Sequence, residues 1–156
     1  MQMTPDKKKN KLYIVVPCYN EEQVLGETSK RLKIKCKNLI QKGQISKDSK
    51  IVFVDDGSKD RTWKMISELH ETDSLFSGVK LSRNRGHQNA LLAGLTMASE
   101  HADMAISMDA DLQDDINAVD QMIEKYYEGC DIVYGVRSAR ETDTFFKRFT
   151  AEAFYK

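Results

Sequence analysis

The sequence predicts an α/β fold in which a mostly parallel β-sheet is flanked by helices on both faces. From residue 12 onwards, short runs of β-branched and other apolar residues alternate with longer segments of helical composition. These runs lack the strict apolar and polar alternation of a sheet with one face in water, so we expect both faces to be buried. No internal repeat or low-complexity segment interrupts the pattern.

Five strands are predicted by apolar runs that end at polar or turn-forming residues. The first is a β-branched run that stops at Pro17, and the second is the run Ile-Val-Phe-Val that precedes two aspartates. Three further runs have the same character. The five predicted strands span residues 12–16, 51–54, 79–81, 104–108 and 131–135.

Four helices are predicted between and after these strands. The second helical segment places Trp63, Ile66 and Leu69 on one face, and the third is rich in alanine and leucine, which favour helix. The other two are charged segments of helix-compatible composition. The four predicted helices span residues 21–41, 62–71, 88–100 and 117–128.

The composition indicates a soluble domain of 156 residues, with 40% hydrophobic and 31% charged residues. Basic and acidic residues number 24 each, so no net charge attracts nucleic acid, and we expect no nucleic-acid partner. The three cysteines lack metal-ligand spacing and are expected to be reduced intracellular thiols; they are Cys18, Cys36 and Cys130. We expect neither a transmembrane segment nor a signal peptide.

Polar or charged residues follow every predicted strand. In an open parallel sheet, ligands bind at the edge formed by the carboxyl ends of the strands, so we expect these groups to meet there. The five groups are residues 17–22, 55–60, 82–86, 109–111 and 135–137.

Asp109 and Asp111 form the most informative of these groups. Residues i and i+2 of an extended segment point the same way, and Gln113 continues the same face. Mg²⁺ and Mn²⁺ bind to one or two carboxylates and keep other coordination positions for water and substrate phosphates. The pair therefore indicates a divalent-cation site, with a solvated loop as the alternative.

Taken in order, the five groups resemble the motif series of family 2 glycosyltransferases with the GT-A fold, which is Rossmann-like. The chain is most similar to the dolichol-phosphate mannosyltransferase-like and bactoprenol-phosphate glucosyltransferase enzymes. The matching segments are Val-Pro-Cys-Tyr-Asn-Glu-Glu from Val16, Val-Asp-Asp-Gly-Ser from Val54, Arg-Asn-Arg-Gly from Arg83, Asp-Ala-Asp-Leu-Gln from Asp109 and Gly-Val-Arg from Gly135.

The resemblance implies roles for individual residues. The nucleotide-binding residues would be Pro17, Tyr19, Glu21, Val54, Asp56 and Ala110. The catalytic residues would be Asp109, Asp111 and Arg137, and the metal, Mg²⁺ or Mn²⁺, would be bound by Asp109, Asp111 and Gln113. Lys147 and Arg148 match basic positions near the acceptor phosphate.

Other polar residues near these motifs have simpler interpretations. We expect Ser58 and Asp60 to cap a turn and the following helix, and His87 to start a helix rather than act as a base. Where relatives continue with prolines after the metal site, this chain has Asp114 and Asp115, which we expect to cap the next helix.

The resemblance implies an inverting, metal-dependent transfer from a nucleotide-sugar, with UDP preferred to GDP, to a polyprenyl phosphate in cell-envelope glycan synthesis. A phosphate monoester has a second pKa of about 6, so this acceptor needs no general base. Two alternatives stay open. One is transfer to a saccharide or protein hydroxyl, with Asp111 or Asp114 as the base; the other is a nucleotide-sugar-binding module without turnover.

The predicted organisation has three parts. Residues 1–11 are a flexible basic lead-in, residues 12–141 form the catalytic domain, and residues 142–156 form an amphipathic segment, truncated before further helices. The amphipathic segment suits either an interfacial helix on a membrane surface or a helix packed on the core or on a second subunit. We expect a cytoplasmic protein, at the cytoplasmic face of the membrane in its full-length form, and leave its oligomeric state open.

Overall fold

The structure, a computed structural model, describes residues 9–111 and 113–136. Its elements alternate as predicted, which confirms the α/β class. They are β1 (Leu12–Cys18), α1 (Leu25–Gln41), β2 (Lys50–Asp55), α2 (Thr62–Thr72), β3 (Phe76–Lys80), α3 (His87–His101), β4 (Met104–Ser107) and α4 (Ala118–Tyr127). A boundary between two compact units follows Asp120, inside α4. The first unit holds the sheet, α1, α2 and α3.

The four strands are all parallel and lie in the order β3-β2-β1-β4. Because crossovers between parallel strands are right-handed, the steps from β1 to β2 and from β2 to β3 place α1 and α2 on one face. The step from β3 back to β4 reverses direction and places α3 on the other face. The order of the strands therefore reverses between β1 and β4, and their carboxyl ends are neighbours.

The face under α3 carries alternate residues of the two central strands. Tyr13 and Val15 of β1 and Val52 and Val54 of β2 are buried there with Ala90 and Ala98 of α3. A β-carbon on Gly94 would lie only 2.4 Å from Cγ1 of Val15 and 2.8 Å from Cγ2 of Val54. Gly94 thus lets α3 approach the sheet more closely than any side chain would allow.

On the opposite face, α2 packs closely against the sheet, again at a glycine. A β-carbon on Gly78 of β3 would lie 2.6 Å from Cγ2 of Ile66 and 3.3 Å from Cζ3 of Trp63. Phe53, which pairs with Gly78 in the sheet, is fully buried. Both faces of the two central strands, β1 and β2, are therefore buried, as the absence of strict alternation predicts.

Pro17 lies inside β1 instead of ending it. Val15 accepts a hydrogen bond from the amide of Met108 on the β4 side, and Cys18 accepts one from the amide of Asp56 on the β2 side. By this alternation the nitrogen of Pro17 faces the β4 side, where pairing has already ended at Val15. Its missing N–H therefore costs no ladder bond.

The prediction of a fifth strand over residues 131–135 is wrong. Residues 131–136 form irregular chain, and the side chains of Ile132, Tyr134 and Val136 are 72, 82 and 85% exposed. An apolar run becomes a strand only where a neighbouring strand supplies the ladder of hydrogen bonds. Within the described ranges, moreover, no helix has the length and apolar composition needed to span a membrane.

We expect Gly94→Ala to destabilise the fold by about 1–3 kcal/mol, because the added methyl group overpacks the contact between α3 and the sheet. Urea unfolding measures the change. Gly26→Ala is the matched control, since a β-carbon at this helical position would have no heavy atom within 4 Å. It should be neutral or stabilising by up to about 1 kcal/mol. Equal stabilities of the two variants would contradict the described packing.

Candidate active site at the carboxyl ends of the strands

Four loops meet at the carboxyl edge of the parallel sheet. They follow β1, β2, β3 and β4, and their described residues are 19–24, 56–61, 81–86 and, after β4, 108–111 and 113–117. The first and the last lie side by side because β1 and β4 are neighbours. In open α/β sheets, the crevice at such a reversal of strand order is the usual place for a ligand.

The loops after β1 and β2 are joined by reciprocal hydrogen bonds, which we call the loop clamp. Three consecutive amides of the first loop donate to side chains that follow β2: Asn20 to Oγ of Ser58 (2.9 Å), Glu21 to Oγ1 of Thr62 (2.8 Å) and Glu22 to Oδ2 of Asp60 (3.2 Å). Two bonds run the other way: the amide of Lys59 donates to Oδ1 of Asn20 (2.8 Å) and that of Arg61 to Oε2 of Glu22 (3.1 Å).

The helix α1 begins at Leu25 and not at residue 21 as predicted, and the loop clamp holds the residues before it. The amides of Asn20, Glu21 and Glu22 are already bonded to the neighbouring loop. Asn20 also adopts a φ of 54°, in the left-handed region that asparagine tolerates better than most residues. These bonds hold the first loop in a turn, with Tyr19 exposed at 41%.

Ser58 and Asp60 do more than the sequence predicts. Oδ1 of Asp60 accepts a bond from the amide of Thr62 at 2.9 Å, which confirms its role at the start of α2. Its other oxygen, and the hydroxyl of Ser58, reach across to the β1 loop. Burial opposes the ionisation of Asp60, but the bonds from Thr62 and Glu22 outweigh it and lower the pKa of this carboxyl.

Asp56 ties the loop after β3 to the same edge. Its two carboxylate oxygens accept bonds from the amides of Arg85 (2.6 Å) and Gly86 (2.9 Å), and it is only 3% exposed. Gly57, with φ of 70°, brings the β2 loop so close that a β-carbon there would lie 2.5 Å from the carbonyl carbon of Arg83. This loop-holding role was not predicted from the sequence.

Asp55 and Cys18 are buried beneath these loops, paired across β1 and β2. Oδ1 of Asp55 accepts a bond of 3.3 Å from the amide of Ser58, whereas Oδ2 is buried without a hydrogen-bond partner among the described residues. Burial, together with the charges of Glu21 and Asp55, raises the pKa of the Cys18 thiol far above its usual range. Cys18 is therefore a protonated core residue and not a nucleophile.

The loop after β4 presents both aspartates of the predicted metal site. Asp109 and Asp111 are exposed, whereas Ala110 between them is only 4% exposed. The amide of Asp109 donates to Oδ2 of Asp114 (3.0 Å), and the amide of Gln113 donates to Oδ1 of Asp111 (3.1 Å). Asp114 thus bonds back into its own loop.

Asp115 behaves as the sequence predicts for a residue before a helix. Its Oδ1 accepts a bond of 2.9 Å from the amide of Asn117, immediately before α4. The predicted cap is therefore confirmed for Asp115.

His87 lies beside the aspartate pair. It begins α3, as predicted, and its Nε2 is 3.8 Å from Oδ1 of Asp109. The two side chains share a cavity of about 180 Å³, whose lining is completed by Pro17, Leu91, Ser107, Met108 and Asp114. The sequence offers no pattern that links a histidine to an aspartate 22 residues later, so this contact was missed.

Negative charge accumulates at this edge of the sheet. Burial raises the pKa of Glu21, and the charges of Asp111, Asp60 and Asp109 raise it further. The donor set consists of carboxylate oxygens, which Mg²⁺ and Mn²⁺ prefer, and a divalent cation would relieve the repulsion. In the described ranges, no three His, Cys, Asp or Glu side chains are arranged to hold a metal ion. Two carboxylates and substrate oxygens suit these ions without such a cage, so the residues fit a cation shared with phosphates.

The remaining predicted residues differ in accessibility. Pro17 is buried in β1, and Val54 is fully buried in the core cluster under α3. Gln113 is exposed. Three predicted residues lie outside the described ranges, namely Arg137, Lys147 and Arg148.

Comparison with known proteins identifies the family. The profile of Glycosyl transferase family 2 matches residues 13–155. The chain belongs to glycosyl transferase family 2. It is 56% identical over 145 residues to the uncharacterized glycosyltransferase YkoT of Bacillus subtilis (strain 168), an alignment that covers 93% of this chain and 43% of YkoT.

A second relative of this family 2 chain has a named substrate. The chain is 40% identical over 148 residues to the bactoprenol glucosyl transferase of Shigella phage SfV, which covers 94% of the chain and 45% of that protein. The family 2 chain thus spans less than half the length of these curated relatives.

A solved structure shares the fold of the family 2 chain. It is the mannosyltransferase PcManGT from Pyrobaculum calidifontis in complex with GDP-Man and Mn²⁺, with a TM-score of 0.54 and 22% identity. The alignment covers 67% of this chain and 28% of that one. The predicted GT-A fold is therefore confirmed.

We expect Thr62→Val to destabilise the chain by about 1–2 kcal/mol, because the part-buried amide of Glu21 loses its acceptor in the loop clamp. Urea unfolding gives the change in free energy. Thr62→Ser keeps the hydroxyl and should recover most of the loss. A valine variant as stable as the parent chain would show that the bond between Glu21 and Thr62 contributes nothing to stability.

Glu21→Gln should raise the melting temperature near pH 7. A carboxyl whose pKa is raised by folding contributes stability at low pH and loses that contribution as the pH rises through its folded-state pKa. The uncharged glutamine avoids this loss, so the difference from the parent chain should disappear at about pH 3, below the usual pKa range of glutamate. Thermal unfolding at several pH values measures it, with Glu68→Gln on the exposed surface of α2 as the control. A lower melting temperature for Glu21→Gln at pH 7 would contradict the described charge cluster.

Proposed function

We propose that this chain is the nucleotide-sugar-binding, catalytic part of a glycosyltransferase that transfers a hexose to a polyprenyl phosphate, with a divalent cation at Asp109 and Asp111. The observation that carries the proposal is the exposure of both aspartates at the sheet edge that also exposes Tyr19. Family membership supports sugar transfer. The name of the 40% identical phage protein, bactoprenol glucosyl transferase, supports the lipid acceptor.

The donor would bind across the loops after β1 and β4. The exposed ring of Tyr19 offers an apolar face to a nucleobase, and the carboxylate of Glu21 can accept hydrogen bonds from a ribose. Pro17, Val54 and Asp56 would contribute through the strand ends beneath the nucleoside. Because Asp56 already holds two backbone amides, its contact with a base would use its remaining lone pairs.

The diphosphate would lie at Asp109, Ala110 and Asp111, with Gln113 as a further ligand to Mg²⁺ or Mn²⁺. When bound, the cation would supply positive charge that stabilises the departing nucleoside diphosphate. The GDP-Man and Mn²⁺ of the mannosyltransferase with the same fold support this assignment. The forked guanidinium of Arg137 suits a phosphate oxygen pair, and we assign it to the diphosphate.

A polyprenyl phosphate explains why the site needs no general base. Its phosphate oxygen is already anionic near pH 7, so no side chain has to remove a proton before attack on the anomeric carbon. Attack from the side opposite the diphosphate inverts that carbon. Lys147 and Arg148 would hold the acceptor phosphate, at the cytoplasmic face of the membrane, in the synthesis of a cell-envelope glycan.

We expect Asp111→Asn to weaken Mn²⁺-dependent binding of UDP at least about tenfold, a change of about 1.4 kcal/mol. Calorimetric titration with UDP and with GDP, in Mn²⁺ and in EDTA, measures the affinities and ranks the two nucleotides. Asp115→Asn is the matched control, because asparagine caps a helix as well as aspartate does. Equal losses in both variants, or none in Asp111→Asn, would refute the metal site.

Transfer itself is tested by supplying labelled UDP-glucose with a polyprenyl phosphate and, separately, with saccharide acceptors. Label in the lipid fraction supports the proposed acceptor. Label in the saccharide alone would replace it with a hydroxyl acceptor. Nucleotide binding without any transfer by the full-length protein would contradict the catalytic assignment.

A further inference from the structure

Thr28 connects α1 to the loop that carries the aspartate pair. It lies in the first turn of α1 and is only 1% exposed. Its hydroxyl is 2.6 Å from the carbonyl oxygen of Ala110 and 3.1 Å from that of Val24. The contact with Val24 is the ordinary back-contact of a helical threonine. Because a hydroxyl has one proton to donate, we assign that proton to the shorter contact, with Ala110, which joins residues 82 positions apart.

We infer that Thr28 is a positioning residue for Asp109 and Asp111. The inference rests on the proposed function, in which these two aspartates hold the cation and the diphosphate. The carbonyl group of Ala110 and the amide of Asp111 share one planar peptide unit. A bond that fixes the carbonyl therefore also fixes the direction in which the chain leaves towards Asp111.

The contrast in burial within the loop agrees with this role. Ala110 is 4% exposed, whereas the aspartates on either side are exposed. The bonds within the loop, from Asp109 to Asp114 and from Gln113 to Asp111, hold its shape but do not attach it to the rest of the fold. Thr28 attaches it to a helix of 17 residues.

The same face of α1 holds the far end of this loop. Lys35 follows Thr28 by seven residues, two helical turns, so the two side chains lie on one face. Its Nζ is 3.2 Å from Oδ1 of Asn117 and 2.5 Å from Oδ2 of Asp120. Thr28 thus fastens the loop between Asp109 and Asp111, and Lys35 fastens it beyond Gln113, so α1 supports the loop at two points.

The test compares Thr28→Val and Thr28→Ala, which remove the hydroxyl, with Thr28→Ser, which keeps it. Ser49→Ala is the control for loss of a buried hydroxyl. The Oγ of Ser49 accepts a bond from the amide of Leu12 (3.0 Å) and donates one to the carbonyl oxygen of Ser46 (2.7 Å). These bonds lie at the amino ends of the strands, away from the candidate site. Two properties are measured: hydrogen exchange of residues 108–114 without ligand, and calorimetric affinity for UDP with Mn²⁺.

We expect Thr28→Val and Thr28→Ala to speed hydrogen exchange of residues 108–114 and to weaken Mn²⁺-dependent UDP binding about 10–100-fold, the usual effect of losing a partner that orients metal ligands. Thr28→Ser should restore both, and Ser49→Ala should change neither. Unchanged exchange in both hydroxyl-free variants, or equal effects of Ser49→Ala, would overturn the inference. If the parent chain binds no UDP with Mn²⁺, the proposed function fails, while the exchange measurement still decides whether Thr28 holds the loop.

Discussion

The carboxyl edge of the sheet depends on one constraint, the need to satisfy the backbone amides of the loops that leave it. Helices and strands satisfy their own amides, but the turns between them do not. Here four side chains accept hydrogen bonds from the amides of neighbouring loops; they belong to Ser58, Asp60, Thr62 and Asp56. The polar motif residues therefore serve two purposes. Some of them hold the loops together, and this leaves Tyr19 and the aspartate pair exposed for a ligand.

The strands and helices of the central sheet were predictable because buried segments consist of apolar residues that can be recognised in the local sequence. Runs such as 12–16 and 51–54 are apolar since both faces of the sheet are covered, and the observed strands extend them by one or two residues at their ends. The segment 131–135 has the same composition, yet it forms no strand, because a strand also needs a partner that the segment's own residues do not specify. Composition predicts where a chain can be buried and not which neighbour will pair with it.

The motif residues of the candidate site were predictable from the sequence, but the hydrogen bonds that join distant residues around it were not. Asp109 and Asp111 stand out because two carboxylates one residue apart after an apolar run suit a cation. The contacts of Thr28 with Ala110 and of Asp56 with Gly86 join residues 82 and 30 positions apart, and nothing in either local sequence indicates the other. Threonine in a first helical turn is too common to attract attention. Such residues become visible only when the fold brings the distant partner into contact.

The three cysteines divide into one accessible thiol and two shielded ones. Cys130 is exposed, whereas Cys18 and Cys36 are buried, and burial raises the pKa of Cys36 to about 12. A small alkylating reagent at neutral pH will therefore modify Cys130 in the native chain and reach Cys18 only during transient opening beneath the strand-end loops. Cys18 therefore serves as an internal reporter. The rate of its modification measures how often those loops open, and a nucleotide that holds them closed would slow it.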